Sequence, residues 1–359
     1  MTEANFKHPG TLMSPEMTVR LKTLNNPYKT SLLVKLKTII SKNQSPSAKT
    51  KVAIEDHSSM MTDGEHAYIL TIGYLYTQDD TYAQKAQSII HAWSTINHGY
   101  APKSTDWNHG NGPLEYGWMV SSFARVMEIL KYTWKTVDTK TISAFSEWLN
   151  KVALPLLKAN KILSGNWCST IYEARLQIAI FQNNKLEFDQ VIKLIEKRII
   201  EDIGEHGIYK ETFRDLWHSH AGIAGLIQSA ETAWHQGVDL FKTNNNIMSK
   251  CIELHAQIVN MNPAYPPIIQ KYIDISKQQS HLAQSVYKDI WPYPYHHWPR
   301  MIENRIYWPA GYEVALAHYT RIKHLKMPET KKLVEKHRPE PYGFHHGFGT
   351  YTHYYLLEK

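Results

Sequence analysis

Helical segments paired by short links, with almost no strand signal between them, run along most of this 359-residue sequence and leave few folds open to it. The clearest pair is Asp63 to Tyr76 and Thr81 to Ile96. Apolar residues there fall at i, i+3 and i+4, and the link Thr77-Gln-Asp-Asp80 supplies caps. Helices are also expected at about 114–134, 138–158, 167–182, 185–202, 212–235, 244–260, 311–322 and 327–337. A first helix is expected over 11–42, entered at Ser14-Pro-Glu-Met with an N-cap and then Pro at the first helical position. Residues 43–62 and 97–113 read as loops. Helix pairs in series predict an all-α chain, an (α/α) toroid or incomplete (α/α) barrel of helical hairpins. In such a fold two helical layers surround a core, and the loops at one end line a cleft. No strict repeat is visible, so a solenoid is disfavoured. Residues 1–359 are expected to form one such domain, with an irregular, aromatic-rich segment or lid at about 262–310.

Composition narrows the partners. A net charge of +7 suits a polyanion, whether nucleic acid, an anionic membrane or an acidic polysaccharide. Eleven Trp and 22 Tyr against nine Phe favour rings with an apolar face and a polar edge, on which sugars stack. Lysines are dispersed, with no basic tail and no RNP-like or zinc-finger pattern, so an acidic polysaccharide is favoured over nucleic acid. No apolar run reaches the roughly 20 residues of a membrane span, and no membrane partner is expected. The start of the chain has no apolar signal region. That fits a periplasmic or secreted protein whose signal is replaced by Met1, and equally a cytoplasmic one. Cys168 and Cys251 are too few for a disulfide framework and read as buried free thiols.

The chemistry concentrates at Glu211-Thr-Phe-Arg-Asp-Leu-Trp-His-Ser-His220, which runs into a small-residue-rich apolar helix ending near Gly237. Arg214 and His218 are four apart and would share a helical face, while His220 points elsewhere. A fixed cation beside imidazoles is what an anionic substrate requires. Asn166, between Gly165 and Trp167 at an expected helix start, is either a cap or a second contact. Trp107, His109 and Asn111 precede another helix and offer a cleft wall. The paired histidines at 218/220, 296–297 and 345–346 fit no zinc spacing, and no metal or cofactor is expected.

Taken in order, these motifs resemble the alginate-lyase superfamily of polysaccharide lyases. The resemblance is carried by His8-Pro-Gly10, Asp63-Gly-Glu-His-Ala-Tyr68, Asn111-Gly-Pro-Leu-Glu-Tyr-Gly-Trp118 and Gly165-Asn-Trp167. It continues through Glu211-Thr-Phe-Arg-Asp215, Glu231-Thr-Ala-Trp-His235 and Tyr312-Glu-Val-Ala-Leu-Ala-His-Tyr319. It implies cleavage of a uronate polymer such as alginate or glucuronan by β-elimination. The C5 proton of a uronate is too weakly acidic to leave unaided, so the carboxylate must be neutralised while a base takes the proton and an acid serves O4.

The resemblance implies Asn166 as the neutraliser, with Arg214 on the carboxylate and His218 as base. Family-five lyases carry a catalytic His directly after this Asn and a Tyr seven residues after this Arg. Here those positions are Trp167 and Ala221, which places the chain nearer family thirty-eight. The acid/base is then expected from Tyr307 with Arg300 nearby. Trp167, Trp107, His109, Asn111 and His220 are expected as substrate contacts. Alternatives are a toroid glycoside hydrolase, drawing on Asp106, Glu115, Glu173, Glu211 or Asp215, and a non-catalytic binder of acidic polysaccharide.

Overall fold

In a computed structural model, residues 6–101, 110–162, 164–261, 264–278, 310–340, 345 and 347–357 are described. In chain order the helices are α1 (Pro15–Leu21), α2 (Lys29–Lys42), α3 (His57–Thr77), α4 (Asp80–Ile96), α5 (Gly112–Thr133), α6 (Thr139–Trp148) and α7 (Leu154–Lys158). They continue as α8 (Gly165–Phe181), α9 (Lys185–Asp202), α10 (Leu216–His235), α11 (Thr243–Asn260), α12 (Pro267–Gln278), α13 (Tyr312–Arg321), α14 (Pro328–His337) and α15 (Gly349–Thr352). A π-helical turn, Leu149–Ala153, joins α6 to α7. Among the described residues the only β-pairing is two isolated bridges, Val52 with Tyr100 and Ile203 with Tyr209.

Helices buried around most of their circumference alternate with helices buried along one face. Helices α3, α5, α8, α10 and α13 are of the first kind, and nearly every residue of α5 from Gly112 to Leu130 is buried. Helices α4, α6, α9, α11 and α14 are of the second kind. A helix apolar on all sides belongs in an interior, and one with a single stripe belongs on a surface. The contacts follow this division. Along the inner layer α3 packs on α5, α5 on α8, α8 on α10 and α10 on α13, while α4 packs on α3, α9 on α8, and the two surface helices α11 and α14 on each other. The result is the expected all-α incomplete toroid.

Polar bonds cross the inner layer. Arg125 of α5, fully buried, donates from Nη2 to Glu173 Oε1 of α8 and Gln228 Oε1 of α10, both at 2.7 Å. Its guanidinium lies 4.7 Å from the ring centre of Tyr68 on α3. Glu173 also bonds His345 Nδ1, and Gln228 Nε2 donates to the His345 carbonyl at 2.9 Å. The His8-Pro-Gly10 motif has a structural role: His8 Nδ1 meets Glu128 Oε1 at 2.6 Å and Gly10 N donates to the same oxygen at 3.2 Å.

Residues 347–357 return to the start of the fold. Asn26 Nδ2 donates to the Thr350 carbonyl at 3.0 Å, Tyr76 Oη to the Tyr351 carbonyl at 2.6 Å, and Arg20 lies over the ring of Tyr355. Both cysteines are buried free thiols.

Four expected boundaries shift. The helix expected over 11–42 is two, because Pro27 disfavours helix at Asn26. Helix α3 begins at His57 rather than Asp63. Asp63 is turned inward to accept from Trp93 Nε1 and Ser47 N, each at 2.7 Å, and it caps nothing. The chain enters α3 through a 3₁₀ turn, Ile54–Asp56, closed by Ala53 N donating to Asp56 Oδ2 at 3.0 Å. Helix α10 begins at Leu216 because Asp215 is its N-cap, so Arg214 precedes the helix and does not share its face. Within 262–310 the structure places a helix, α12, and residues 279–309 lie outside the described residues.

Removing one partner of a buried ion pair strands the other, at a cost of about 3–5 kcal/mol. Glu173→Ala is therefore expected to lower unfolding free energy by about that amount in denaturant titration at neutral pH. A loss under about 1 kcal/mol, the scale of a median surface pair, would show that apolar packing alone joins α5 to α8.

Candidate active site

Each outer helix carries the chain back to the end where the previous inner helix began. The N-termini of the inner helices therefore gather at one end of the ring. Met61 of α3, Leu114 and Trp118 of α5, Trp167 of α8, and Trp217 and Ala221 of α10 form one apolar cluster there. All of them lie within the first two turns of their helices. Helix N-termini carry partial positive charge, about half a unit each, and at α8 and α10 it is met by the carboxylates of Asp202, Glu211 and Asp215.

On one side of the floor stand the starts of α8 and α10. Gly165 has φ +70, and a Cβ at this position would lie 3.0 Å from the Glu211 carboxylate, so both conformation and space demand glycine. The tight approach lets two carboxylates take the first backbone N–H groups of α8. Gly165 N donates to Asp202 Oδ2 at 3.0 Å, and Asn166 N to Glu211 Oε2 at 2.7 Å. With its backbone held this way, Asn166 is 1% exposed. Neither end of its side-chain amide has a hydrogen-bond partner among the described residues. A buried orphan amide costs about 1–3 kcal/mol.

Glu211 connects this amide to the cation. Its other oxygen accepts from Arg214 Nη1 at 3.1 Å. Burial raises the Glu211 pKa above the ordinary carboxyl value, with His218 and Arg214 pulling the other way. Asp215 caps α10, accepting from His218 N at 2.7 Å and meeting His218 Nδ1 at 2.6 Å. Burial alone would raise the Asp215 pKa, but the bonds and charge of His218, with Arg214, outweigh it and hold the group below its ordinary value. An ionised carboxylate only accepts, so His218 donates from Nδ1 to Asp215, and Nε2 is the ring nitrogen turned away from that carboxylate. The His218 side chain keeps 21% of its surface exposed.

On the other side stand the starts of α3 and α5. His57 Nδ1 lies 3.7 Å from Glu115 Oε1, and its ring meets Trp118 edge-on with centres 5.6 Å apart. Burial, aided by Asp56 and Glu55 and opposed by a Tyr100 hydrogen bond, pushes the Glu115 pKa up to about 8. Burial lowers that of His57. Asn111 precedes α5 and makes no side-chain cap bond.

The structure thus brings Asn166, Trp167, Arg214 and His218 together, with Asn111 at the start of a neighbouring inner helix. His220 is fully buried, with its ring against His255 and Tyr312, so it offers no exposed edge for a sugar. Asp106, Trp107, His109, Arg300 and Tyr307 lie outside the described residues. Of the carboxylates open to a hydrolase, Glu173 belongs to the interior network with Arg125, Glu211 holds Asn166 N and Arg214, and Asp215 caps α10. His57 is the residue that sequence reasoning missed as a candidate. Its signal, a helix starting at 57, was hidden by the polar run His57-Ser-Ser-Met-Met-Thr62.

Replacing an N-cap Asp costs about 0.5–2 kcal/mol. Asp215→Ala is expected to lose about that much stability at neutral pH. The native pKa is depressed, so the charged part of this contribution is present above the ordinary value of 3.8 and fades as pH falls through the native one. Denaturant midpoints of variant and wild type should therefore converge below about pH 4. A constant gap across the range would remove the Asp215–His218 charge pairing from the account.

Comparisons with known proteins agree with this architecture. A family model described as alginate lyase matches residues 22–265. A variant of alginate lyase A1-III complexed with tetrasaccharide superposes with TM-score 0.58 at 14% identity, covering 96% of this chain and 97% of that one. Alginate lyase A1-III from Sphingomonas species A1 gives 0.57 at 14% identity, over 95% and 99% of the two chains. An alginate lyase from Bacteroides ovatus gives 0.53 at 12% identity, over 80% and 94%. No curated protein matches the chain. At these identities the solved structures bear on the fold, and the family model bears on membership.

Proposed function

The chain belongs to the alginate lyase family, and from that premise we propose that the inner-helix end is a β-elimination site in which Asn166 and Arg214 hold the uronate carboxylate while His218 takes the C5 proton. The protein is a polysaccharide lyase, and alginate is the substrate its family indicates. Glucuronan or a similar polyuronate is proposed beside it.

One observation supports this reading above the others: the buried Asn166 amide with no partner among the described residues. A fold gains nothing from a desolvated amide left unbonded. A transition state does gain. When C5 loses its proton, charge spreads onto the carboxylate, and a donor already stripped of water and fixed in place stabilises that charge without reorganising. Arg214 supplies the compensating cation, braced by Glu211. His218 presents Nε2 because Asp215 occupies Nδ1. The C5–H electron pair becomes the C4=C5 double bond, the C4–O4 bond breaks, and O4 leaves with a proton. Water does not attack, and the new chain end is an unsaturated uronate.

The acid that serves O4 is proposed to be Tyr307. Arg300 nearby would lower its pKa from the ordinary value of ~10. Trp167, with Trp107, His109 and Asn111, is proposed to line the cleft for sugar rings. His220, buried behind the first turn of α10, would back the site without touching sugar. The pairing of Asn166 with Trp167 and of Arg214 with Ala221 supports family thirty-eight over family five. A periplasmic or secreted location is proposed, where such polymers are met. Among the described residues no helix is long and apolar enough to cross a membrane. Residues 1–359 are proposed to act as one lyase domain.

The test is incubation with polymannuronate, polyguluronate, glucuronan and hyaluronan, following ultraviolet absorbance of the conjugated product. Absorbance is expected with at least one. New reducing ends without absorbance would mean hydrolysis, and binding without either product would mean a carbohydrate-binding protein. Asn166→Ala is expected to lower kcat by about 10²–10³, and His218→Ala by about 10²–10⁴. Asn166→Ala should also unfold no earlier than wild type, because it deletes an unbonded buried amide. Wild-type rates in both variants would remove these residues from the mechanism.

A further inference from the structure

The two sides of the tryptophan floor differ in charge. Arg214 and the proton-handling His218 stand on the α10 side. On the α3/α5 side stand His57, one-third exposed at its side chain, and behind it Glu115, 2% exposed. Both are polar, and at neutral pH neither needs to be charged, since burial favours the neutral form of each. His57 meets Trp118 edge-on, as His218 meets Trp217 edge-on at 4.7 Å, and both tryptophans belong to the same floor cluster. The two imidazoles thus border one shared apolar platform, His57 at Trp118 and His218 at Trp217.

A uronate ring has the same asymmetry. Its carboxylate leaves C5, and its free hydroxyls leave C2 and C3 on the opposite edge. A ring with its carboxylate at Asn166 and Arg214 turns that hydroxyl edge toward α3 and α5. We propose that His57, held in place by Glu115, hydrogen-bonds the O2/O3 edge of the uronate bound at Asn166 and Arg214, and so selects rings whose hydroxyls are unsubstituted. This rests on the assignment of the carboxylate to Asn166 and Arg214. His57 is the contact residue and Glu115 a positioning residue acting through it. A neutral group behind His57 suits the task, because a carboxylate there would repel the polyanion.

The groups that bear on Glu115 are Glu55, Asp56 and His57 at the start of α3 and Tyr100 ahead of α5. Asp56 is itself paired with Lys49. Across the floor are Glu211, Arg214, Asp215 and His218. Glu115 is protonated below about pH 8 and ionises above it. Affinity for a polyuronate should accordingly weaken as pH rises past that point.

The experiment is calorimetric binding of tetramannuronate and its 2,3-O-acetylated form to the full chain, with unsaturated-uronate release measured in parallel. Wild type should prefer the unmodified sugar. His57→Ala should weaken its binding by about three- to tenfold, the worth of one hydrogen bond, and shrink the preference. His57→Gln should restore part of both. Glu115→Gln should lose the weakening that wild type shows above about pH 8. Unchanged affinity and preference in His57→Ala, or no binding by wild type, would overturn the proposal. Wild type that binds with the stated preference but releases no unsaturated uronate would instead overturn the lyase mechanism and leave this contact standing.

Discussion

The ring is organised around one buried cation. Arg125 lies in the centre of α5 with no exposed surface, and it reaches α8 through Glu173, α10 through Gln228 and α3 through Tyr68. Apolar packing alone would let neighbouring helices slide by a turn at little cost. A guanidinium in low dielectric does not allow this, because every slip strands a charge. The register of the inner helices is therefore fixed, and with it the level at which their N-termini end. The tryptophan floor, the Asn166 amide and the Asp215–His218 pair all stand at that level. The level of the cleft thus follows from polar bonds made some turns away, inside the ring.

The cleft itself is built in the opposite way. Its anchoring carboxylates are bonded to backbone and cation, whereas the amide they position is left without a partner among the described residues. Two sets of buried polar groups, only a few residues apart along α8, thus do different work. Glu173 joins Arg125 and His345, while the Asn166 side-chain amide has no partner among the described residues.

Much of this was legible in the sequence. The helices were legible in periodicity, as in the single apolar stripe of α9, but which of them lie inside was not, since α8 is buried on all sides while carrying Asn166, Ser169, Thr170, Glu173 and Gln177. The boundaries of α9 were readable because Asn184 caps it through Glu187 N. Where the reading slipped, a polar residue had two available uses. Asp63 looked like a helix start but bonds the Trp93 indole. Asp215 looked like one face of a longer helix but begins it. At the site, Arg214 and His218 were picked out by residue type and spacing and Asn166 by the family resemblance, and the structure brings the three near one another through Glu211 and Asp215. The role of Glu211 in tying two of them together was not, since nothing in its surroundings distinguishes it from Asp215 until the chain folds. His57 was hidden for the same reason: its partner Glu115 lies on another helix.

The return of residues 347–357 to Asn26, Tyr76 and Arg20 has a bearing on how the molecule comes into being. These contacts join positions more than 270 apart in the sequence, the kind of pairing that slows folding because chain entropy is lost before any contact repays it. On a ribosome, α1 to α13 emerge before their closing segment does. The apolar side of α3 that will face it stays uncovered through most of synthesis, a period when such surfaces invite aggregation.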